Sequence, residues 1–252
     1  MKALILAAGL GTRLKPITDN IPKALVEVNG TPILRHLILT LKRHGADEIV
    51  VNVHHFADKI KEFLKGNDFG VEISISDETD ELLDTGGGIV KAMPLLFSKN
   101  DQPVLIHNVD IISNADLKEL MDSSFNGHPN YNGSSLLISE RESTRKLIFN
   151  SELKLRGWHD LKTDKYRKVG NEEKVLKEYS FSGIYAMSRE SIEEMKQLMG
   201  TGKFSVMEYF LNPLRKIDVR GVSQTNLKLL DIGKPATLLQ APALLNEVNV
   251  FS

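Results

Sequence analysis

The stretch KALILAAGLGTRLKPITDNIPKAL, residues 2–25, decides how the rest of the chain can fold. Its first part, Lys2–Ala8, is an apolar run that ends at glycine, long enough for a buried strand and too short for a helix. A strand that runs into glycines such as Gly11 leaves backbone N–H groups at its carboxyl end, where an anion can come close. Arg13 and Lys23 add the positive charge that a polyphosphate requires. We therefore interpret this stretch as a strand followed by a loop for a nucleoside triphosphate.

Other interpretations of the glycine-rich stretch are weaker. GLGTRL is close to the dinucleotide pattern G-x-G-x-x-G, but Leu14 replaces the third glycine and no acidic residue closes a second strand. The P-loop pattern is absent, because Gly202-Lys203 is followed by Phe204. A signal peptide is disfavoured because no small-residue cleavage site follows the apolar run. A structural glycine turn with incidental charges remains open as an alternative.

The composition bounds the class of protein. The chain has 252 residues, 41% of them hydrophobic, which suffices for one large domain or two small ones. Its formal net charge of -1 argues against a nucleic-acid or membrane-surface binder, which would show a basic excess. The absence of cysteine excludes disulfides and thiolate metal sites. We expect a cytoplasmic protein with no nucleic-acid and no membrane partner.

Strands alternate with helices in the part of the chain that follows the opening stretch. Thr31-Pro32 is a good helix start, and apolar residues at helical spacing follow it. Ile49–Val53 and Val71–Ser76 are typical of strands on either side of a shorter helix. This rhythm predicts an α/β fold with a largely parallel sheet and right-handed crossovers. Ligands of such sheets bind beyond the carboxyl ends of the strands.

Polar residues at strand ends are therefore the candidate site residues. Asp110 follows the apolar run Val104–Ile106, and Asp231 follows Leu227–Leu230. A carboxylate facing a cleft is a natural Mg²⁺ ligand, although either aspartate could instead cap a helix or a turn. The three glycines 86–88 predict a loop that lets backbone approach a flat ligand, or simply a flexible entry into the helix behind them.

Beyond residue 133 the pattern changes to short alternating runs. These predict a mixed or antiparallel β-rich part added to the first sheet, in which Ile217–Val222 pairs with Leu227–Leu230. No linker divides the chain, so we expect a single domain over residues 1–252. Residues 1–124 would form the nucleotide half and residues 125–252 the acceptor half.

In order, these pieces resemble the sugar-1-phosphate nucleotidyltransferases, or NDP-sugar pyrophosphorylases. The resemblance rests on LAAGLGTRLKPIT…PKAL, on GGG before a helix, on the strand-end Asp110, on FSGIYAM and on Asp231-Ile232-Gly233. It implies a Rossmann-like three-layer α/β/α fold with a mostly parallel mixed central sheet (the GT-A-like nucleotidyltransferase fold), a smaller β-rich sugar-side part and no C-terminal β-helix. The run LLDTGGGIVKAMPLL resembles the subgroup that joins UTP to N-acetylmuramate 1-phosphate.

The resemblance also implies roles for individual residues. The expected reaction is attack of a sugar 1-phosphate oxygen on the α-phosphorus of a nucleoside triphosphate, with release of pyrophosphate. Arg13, Lys23 and Asp110 would be catalytic, and Mg²⁺ would be held by Asp110 and Asp231. The residues that the resemblance assigns to substrate binding are Ala7, Ala8, Gly9, Gly11, Thr12, Arg13, Lys23, Thr85, Gly86, Gly87, Asn108, Gly183 and Asp231.

Two departures leave alternatives open. Val109 stands where the family has glycine, and a β-branched residue disfavours positive φ and could crowd the phosphates. The E-K-P motif of glucose and thymidylyl members is missing, so the sugar is not fixed; Trp158 is a candidate for its pocket. The alternatives are mannose-1-phosphate guanylyltransferase-like or other NDP-sugar synthesis, and a non-catalytic nucleotide-sugar sensor. A monomer or a homodimer is expected.

Overall fold

The computed structural model describes residues 1–126, 132–170 and 176–250. Secondary structure in these ranges alternates between strands and helices in the first half and is dominated by strands in the middle. The strands are β1 (Lys2–Leu6), β2 (Glu27–Val28), β3 (Thr31–Pro32), β4 (Glu48–Val53), β5 (Glu72–Asp77), β6 (Val104–Asn108), β7 (Ile111–Ser113), β8 (Ser134–Ser139), β9 (Arg145–Phe149), β10 (Leu155–Asp160), β11 (Lys165–Lys168), β12 (Lys177–Met187), β13 (Val219–Ser223) and β14 (Leu229–Asp231). The α-helices are α1 (Ile33–Arg43), α2 (Ala57–Lys65), α3 (Asp84–Leu96), α4 (Leu117–Met121), α5 (Arg189–Met199), α6 (Val206–Phe210), α7 (Pro235–Leu238) and α8 (Ala241–Val250).

Strand β1 lies in the parallel part of the central sheet. It pairs in parallel with β4 on one side and with β6 on the other, and β5 follows beyond β4. Every residue of β1 is buried, as expected for a strand covered by helices on both faces. The predicted parallel strands are thus confirmed, and their carboxyl ends meet at one edge of the sheet.

An antiparallel part continues the same sheet through β12. This strand pairs with β6, β8 and β9, and the main path runs β11-β10-β9-β12-β6-β1-β4-β5. Because β12 pairs with β6, strands from the two predicted halves are hydrogen-bonded within one sheet. The structure therefore has the predicted Rossmann-like α/β class, with a mixed central sheet.

The predicted pairing of Ile217–Val222 with Leu227–Leu230 is wrong. Strand β13 instead runs parallel to β8, and β14 runs antiparallel to β7. The burial of apolar side chains explains the difference, because β13 joins the large sheet beside β8 and buries Val219 there. Leu230 of β14 packs on a separate cluster. The correction matters because the β7–β14 pair lies directly beside Asp110.

Two apolar cores cover the two faces of the sheet. One contains residues of α1, α2 and α4, such as Leu34, Ile60 and Leu120. The other contains residues of α3, α5 and α6, such as Val90 and Ile192. The result is the expected α/β/α arrangement.

A third, smaller cluster joins the opening loop to the end of the chain. Leu14 and Ile232 are both fully buried in it, together with Ala241 and Leu245 of α8. Because Leu14 follows Arg13 and Ile232 follows Asp231, this cluster fixes two candidate site residues relative to each other. The apolar side chains therefore set the distance between charged ones.

Two local predictions need correction. Thr31–Pro32 form strand β3 with Glu27–Val28, and α1 begins at Ile33 without a side-chain cap. Glycines 86–88 lie within the first turns of α3 rather than in a loop. They are glycine because α3 packs tightly: a Cβ at Gly86 would lie 2.2 Å from the ring of Phe204.

Candidate functional site

A cleft of about 620 Å³ opens at the carboxyl ends of β1 and β6. Its volume lies within the range of sites that hold small molecules. Most of the residues that the sequence nominates for substrate binding line it. The lining residues are Leu6, Ala7, Ala8, Gly9, Leu10, Gly11, Thr12, Arg13, Lys23, Asn52, Leu82, Asp84, Thr85, Asn108, Val109, Asp110, Lys203 and Gly233.

Gly11 gives the opening loop its shape. Its φ of +67° is unfavourable for residues with a Cβ, and a Cβ there would lie 3.1 Å from Thr18 and 3.2 Å from Lys23. The Thr18 hydroxyl donates to the Gly11 carbonyl at 2.9 Å, and the Leu14 N–H donates to the same oxygen. The turn therefore buries Leu14 and leaves Arg13 exposed at the cleft.

Lys23 and Asp110 form an ion pair at the floor of the cleft. The Lys23 ammonium group donates to Asp110 Oδ2, and the two side chains are only 10% and 15% exposed. Little solvent screens such a pair, so each charge is held in place by the other. The sequence interval between these residues gives no sign of this contact, which becomes possible because β1 and β6 are adjacent parallel strands whose carboxyl ends lie side by side.

Asp231 lies beside this pair because β14 runs along β7. Asp231 is the register partner of Ile111, and the Ile232 N–H donates to the Asp110 carbonyl at 2.9 Å. The Gly233 N–H in turn donates to Asp231 Oδ1 at 2.8 Å. The two aspartates that follow different strands are thus on neighbouring segments of one site.

Gly233 marks the point where the charged groups meet. A Cβ at this residue would lie 2.7 Å from Arg13 Nη2, 2.8 Å from Asp231 Oδ1 and 2.9 Å from Lys23 Nζ. Two cations and one carboxylate therefore surround a single position, and Asp110 is bonded to one of the cations. A polyphosphate and a divalent cation could be held together at such a position.

The donor set fits Mg²⁺. Carboxylate oxygens are its preferred protein ligands, and Mg²⁺ sites use one or two carboxylates and take the remaining ligands from phosphates and water. Asp110 and Asp231 supply two. No group of three or more His, Cys, Asp or Glu side chains suited to a metal occurs among the described residues. The site therefore fits a cation that arrives with its phosphate ligands better than one enclosed by protein.

Asn52 and Glu78 form a buried network beneath the loop that sequence analysis missed. Asn52 Oδ1 accepts from the N–H groups of Ala7 at 2.6 Å and Ala8 at 3.2 Å, and its Nδ2 donates to Glu78 Oε1 at 2.7 Å. Glu78 is fully buried and its Oε2 accepts from the Leu83 N–H at 3.3 Å. The network joins β1, β4, β5 and the start of α3. Asn52 is an interior residue of β4, unlike Asp110, which follows the end of a strand, so the search for polar residues at strand ends did not identify it.

Burial shifts the pKa of several groups around the site. It raises the pKa of Glu78, while the hydrogen bond from Asn52 acts in the opposite direction. It lowers the pKa of His107 on β6 to about 4, so this ring is neutral at physiological pH. Burial also lowers the pKa of Arg141, and the negative charge of Asp231 partly offsets that effect. A further cation thus lies near Asp231.

Three nominated glycines do not line the cleft. The N–H groups of Gly86 and Gly87 donate to the Phe204 carbonyl at 2.9 and 3.3 Å. Gly183 lies on β12 with φ +79°, and a Cβ there would lie 2.8 Å from Asn108 Nδ2. Gly183 therefore makes room for Asn108, which lines the cleft and whose Oδ1 is buried without a hydrogen-bond partner.

Val109 causes none of the backbone strain that its side chain predicts. It is not among the non-glycine residues with positive φ, and its N–H donates to the Leu6 carbonyl at 3.1 Å. Its side chain is 4% exposed and packs in the core beneath the cleft. A glycine is not required at this position.

A second cavity of about 450 Å³, here called the Trp158 cavity, lies beside the cleft. Residues 203–205 connect the two: Lys203 lines the cleft, and Ser205 lines the cavity. Thr85 of the cleft accepts a hydrogen bond from the Val206 N–H at 2.9 Å. Sequence analysis considered Lys203 only within a P-loop pattern that it excluded. The cavity is lined by Ser143, Arg145, Leu147, Trp158, Arg167, Phe181, Ser205, Met207, Glu208 and Leu211.

Comparison with known proteins gives a consistent result. Residues 2–146 match the family described as "Nucleotidyl transferase". N-acetylmuramate alpha-1-phosphate uridylyltransferase of Caulobacter vibrioides is 43% identical over 44% of this chain and 46% of its own length. The enzyme of that name from Neisseria meningitidis serogroup B is 42% identical over 46% of this chain and 49% of its own length. The chain thus matches about half the length of these curated relatives.

A solved structure shows the same fold over nearly the whole chain. HddC from Yersinia pseudotuberculosis, complexed with GMP-PN, superposes with a TM-score of 0.73 and 24% identity. The superposition covers 97% of this chain and 99% of that one. Within the residues described, no helix has the length and apolar character that crossing a membrane requires.

Proposed function

Because the chain belongs to the nucleotidyl transferase family, which it matches over residues 2–146, we propose that it transfers a nucleotidyl group to a sugar 1-phosphate. The nucleotide is UTP and the acceptor is N-acetylmuramate 1-phosphate, as the names of the two curated relatives suggest. The observation that carries the proposal is the meeting of Arg13, Lys23 and Asp231 around Gly233, with Asp110 paired to Lys23.

The proposed mechanism requires no side-chain nucleophile. The attacking phosphate is already ionised near neutral pH, so catalysis consists of holding two polyanions together and offsetting their charge. The Gly9–Arg13 loop binds the triphosphate, and Arg13 stabilises the pyrophosphate that leaves. Lys23 lies between the nucleotide α-phosphate and the incoming sugar phosphate. Asn108 lines the cleft beside Asp110 and contacts the substrate.

Asp110 and Asp231 are the proposed Mg²⁺ ligands. A bound Mg²⁺ would supply positive charge that offsets the charge developing on the phosphates. The protein's own contribution is to hold the two carboxylates on the adjacent segments β7 and β14, with Lys23 orienting Asp110. Mg²⁺ dependence and cytoplasmic location are parts of the proposal, as are the absence of nucleic-acid and membrane partners and the monomeric or homodimeric state.

The residues that line the cleft support proposed positions for the base and the sugar. Of residues 85–87, which the resemblance assigns to substrate, Thr85 faces the cleft, so we place the base edge at the start of α3. Gly86 and Gly87 act there by allowing α3 to pack against Phe204 and the Gly202 carbonyl. The Trp158 cavity takes the sugar, because Lys203 and Ser205 link it directly to the cleft.

The test is a panel of four nucleoside triphosphates against several sugar 1-phosphates with Mg²⁺, scored by pyrophosphate release. Release with UTP and N-acetylmuramate 1-phosphate supports the proposal, and chelation of Mg²⁺ should abolish it. Release only with GTP and mannose 1-phosphate would replace it with guanylyl transfer. Binding without release would identify a nucleotide-sugar sensor. The main argument for a sensor was the β-branched residue at position 109, and the φ of Val109 is not positive.

A further inference from the structure

We propose that the Trp158 cavity selects a sugar 1-phosphate that carries a carboxylate, and that Arg145 and Arg167 bind that carboxylate. The inference rests on the proposed function and deepens it. N-acetylmuramate differs from N-acetylglucosamine by a lactyl ether, which adds one methyl group and one carboxylate. The question is therefore whether the cavity contains groups suited to those two additions.

Strand register places the relevant side chains on one face of the sheet. Leu147 on β9 is paired with Trp158 on β10, and Trp158 is paired with Arg167 on β11. Residues directly opposite in antiparallel strands point to the same face, so these three form one row. Arg145 lies two residues before Leu147 on β9 and points to that face as well. All four line the cavity.

The row combines an apolar floor with cationic ends. Trp158, Phe181 and Met207 provide apolar surface on which a sugar ring and a methyl group can pack. Arginine binds carboxylates with two parallel hydrogen bonds, which gives it directional selectivity that lysine lacks. A neutral hexose can pack on these apolar residues, but it has no negatively charged group for the two arginines to bind.

Neither arginine has a partner for its guanidinium group among the described residues. Two acidic residues, one lining the cavity and one opposite Arg145 on β10, accept hydrogen bonds from backbone N–H groups. Glu208 accepts from the Ser205 N–H at 3.2 Å in the capping box of α6. Asp160, the register partner of Arg145, accepts from the N–H groups of residues 162 and 163. The two guanidinium groups of the cavity therefore face one lining carboxylate, that of Glu208, which already accepts a hydrogen bond.

The position of the cavity allows the carboxylate and the phosphate of one substrate to be bound together. The segment 203–205 borders both spaces, with Lys203 on the cleft side and Ser205 on the cavity side. A sugar whose 1-phosphate lies near Lys23 would extend past this segment toward Trp158. Its substituents would then reach the arginine row, while the nucleotide stays at the glycine loop.

The test compares kcat/KM for N-acetylmuramate 1-phosphate and N-acetylglucosamine 1-phosphate, with UTP and Mg²⁺ held constant. The variants are Arg145→Gln, Arg167→Gln and the double variant. Lys165→Gln is the matched control, since it removes a positive charge from β11 at a residue that does not line the cavity. We expect each arginine variant to lower the preference for the carboxylate sugar about tenfold or more. The control should leave the preference unchanged, and Arg→Lys variants should restore part of it.

An unchanged preference in the double variant would overturn the inference, as would a wild-type protein that uses both sugars equally well. Either result would leave nucleotidyl transfer intact. Failure of the proposed function looks different, because no nucleotide and sugar pair would release pyrophosphate. In that case titration calorimetry with the same two sugar phosphates decides the inference: carboxylate-dependent binding that the double variant loses supports it, and equal binding refutes it.

Discussion

The buried pair of Asn52 and Glu78 allows a sharp prediction about how the glycine loop is held. Asn52→Asp keeps an oxygen that can accept from the N–H groups of Ala7 and Ala8. Its second oxygen, however, replaces the Nδ2 that lies 2.7 Å from Glu78 Oε1. Two carboxylate oxygens at that separation must share a proton or repel each other. We expect the variant to be strongly destabilised at neutral pH.

The magnitude follows from the cost of keeping that proton. An aspartate with an ordinary pKa near 3.9 loses its proton in the unfolded chain, and each unit of pKa shift corresponds to ~1.36 kcal/mol. Holding the proton at pH 7 therefore costs about 4 kcal/mol. The folded-state pKa of the shared proton is raised, so the lost stability returns as the pH falls toward about 4. Above that pH, the difference in the free energy of unfolding between the variant and wild type should change by roughly 1.4 kcal/mol per pH unit.

A double variant provides the control. In Asn52→Asp/Glu78→Gln, the amide of residue 78 donates to the carboxylate of residue 52 and its carbonyl accepts from the Leu83 N–H. The hydrogen bonds and the net charge are the same as in wild type, with donor and acceptor exchanged. We expect it to recover most of the stability. Asn52→Ala, which removes the acceptor without adding a charge, should be destabilised to a similar extent at every pH.

Urea unfolding at pH 5, 6, 7 and 8, followed by the fluorescence of the single tryptophan, measures these differences. Pyrophosphate release gives a second readout, because the N–H groups held by Asn52 belong to residues that line the cleft. A single variant without pH-dependent destabilisation would refute the argument. So would a double variant no more stable than the single one.

Further predictions concern the charged centre, a glycine and a histidine. Asp110→Asn should lower turnover by roughly 10²–10³, because a charge contact of ~4 kcal/mol is lost in the transition state; near-normal turnover would contradict the assigned role. The variant should also unfold at lower urea, because it leaves the nearly buried Lys23 ammonium without its carboxylate. Gly183→Ala should be more destabilised in urea than Gly45→Ala. Both residues have positive φ, +79° and +88°, but only the first would place a Cβ against a neighbour, so equal effects would contradict the contact argument. At His159, burial lowers the pKa, but hydrogen bonds to Glu178 and to residue 164 outweigh it and raise the pKa above 6.5. The stability that this histidine adds should be present below about pH 6.5 and lost as pH rises through the folded-state pKa, and His159→Asn should remove this dependence from urea titrations.

The sequence by itself determined the features that depend on neighbouring residues. The apolar run of β1, the positive φ at Gly11 and the capping box of α6 each follow from local sterics and hydrogen bonding. The parallel strands β4 and β5 can also be predicted from the sequence, because their hydrophobic pattern and the turn residues that flank them define them. For the same reason Arg13 and Lys23 could be recognised as cations at a strand end.

Sequence reasoning failed where packing outweighs local preference. Glycine disfavours helix, yet Gly86–Gly88 are helical because a Cβ at each would lie within 3 Å of a neighbour: the Phe204 ring, the Gly202 carbonyl or the Glu78 carboxyl group. Strands β13 and β14 follow each other along the chain but pair with different partners, since each buries its apolar side chains elsewhere. Asn52 looked like an ordinary strand residue until its partners on β1 and β5 were known.

Only the tertiary structure decided that the site exists as one place. Asp110 and Asp231 become neighbours because β14 pairs with β7, and Arg13 reaches them because Leu14 and Ile232 are buried in one cluster. Charges attract at these distances, but the hydrophobic effect of the surrounding apolar residues sets where they lie. The sequence determined which chemical groups were available, and the burial of their neighbours determined which of them meet.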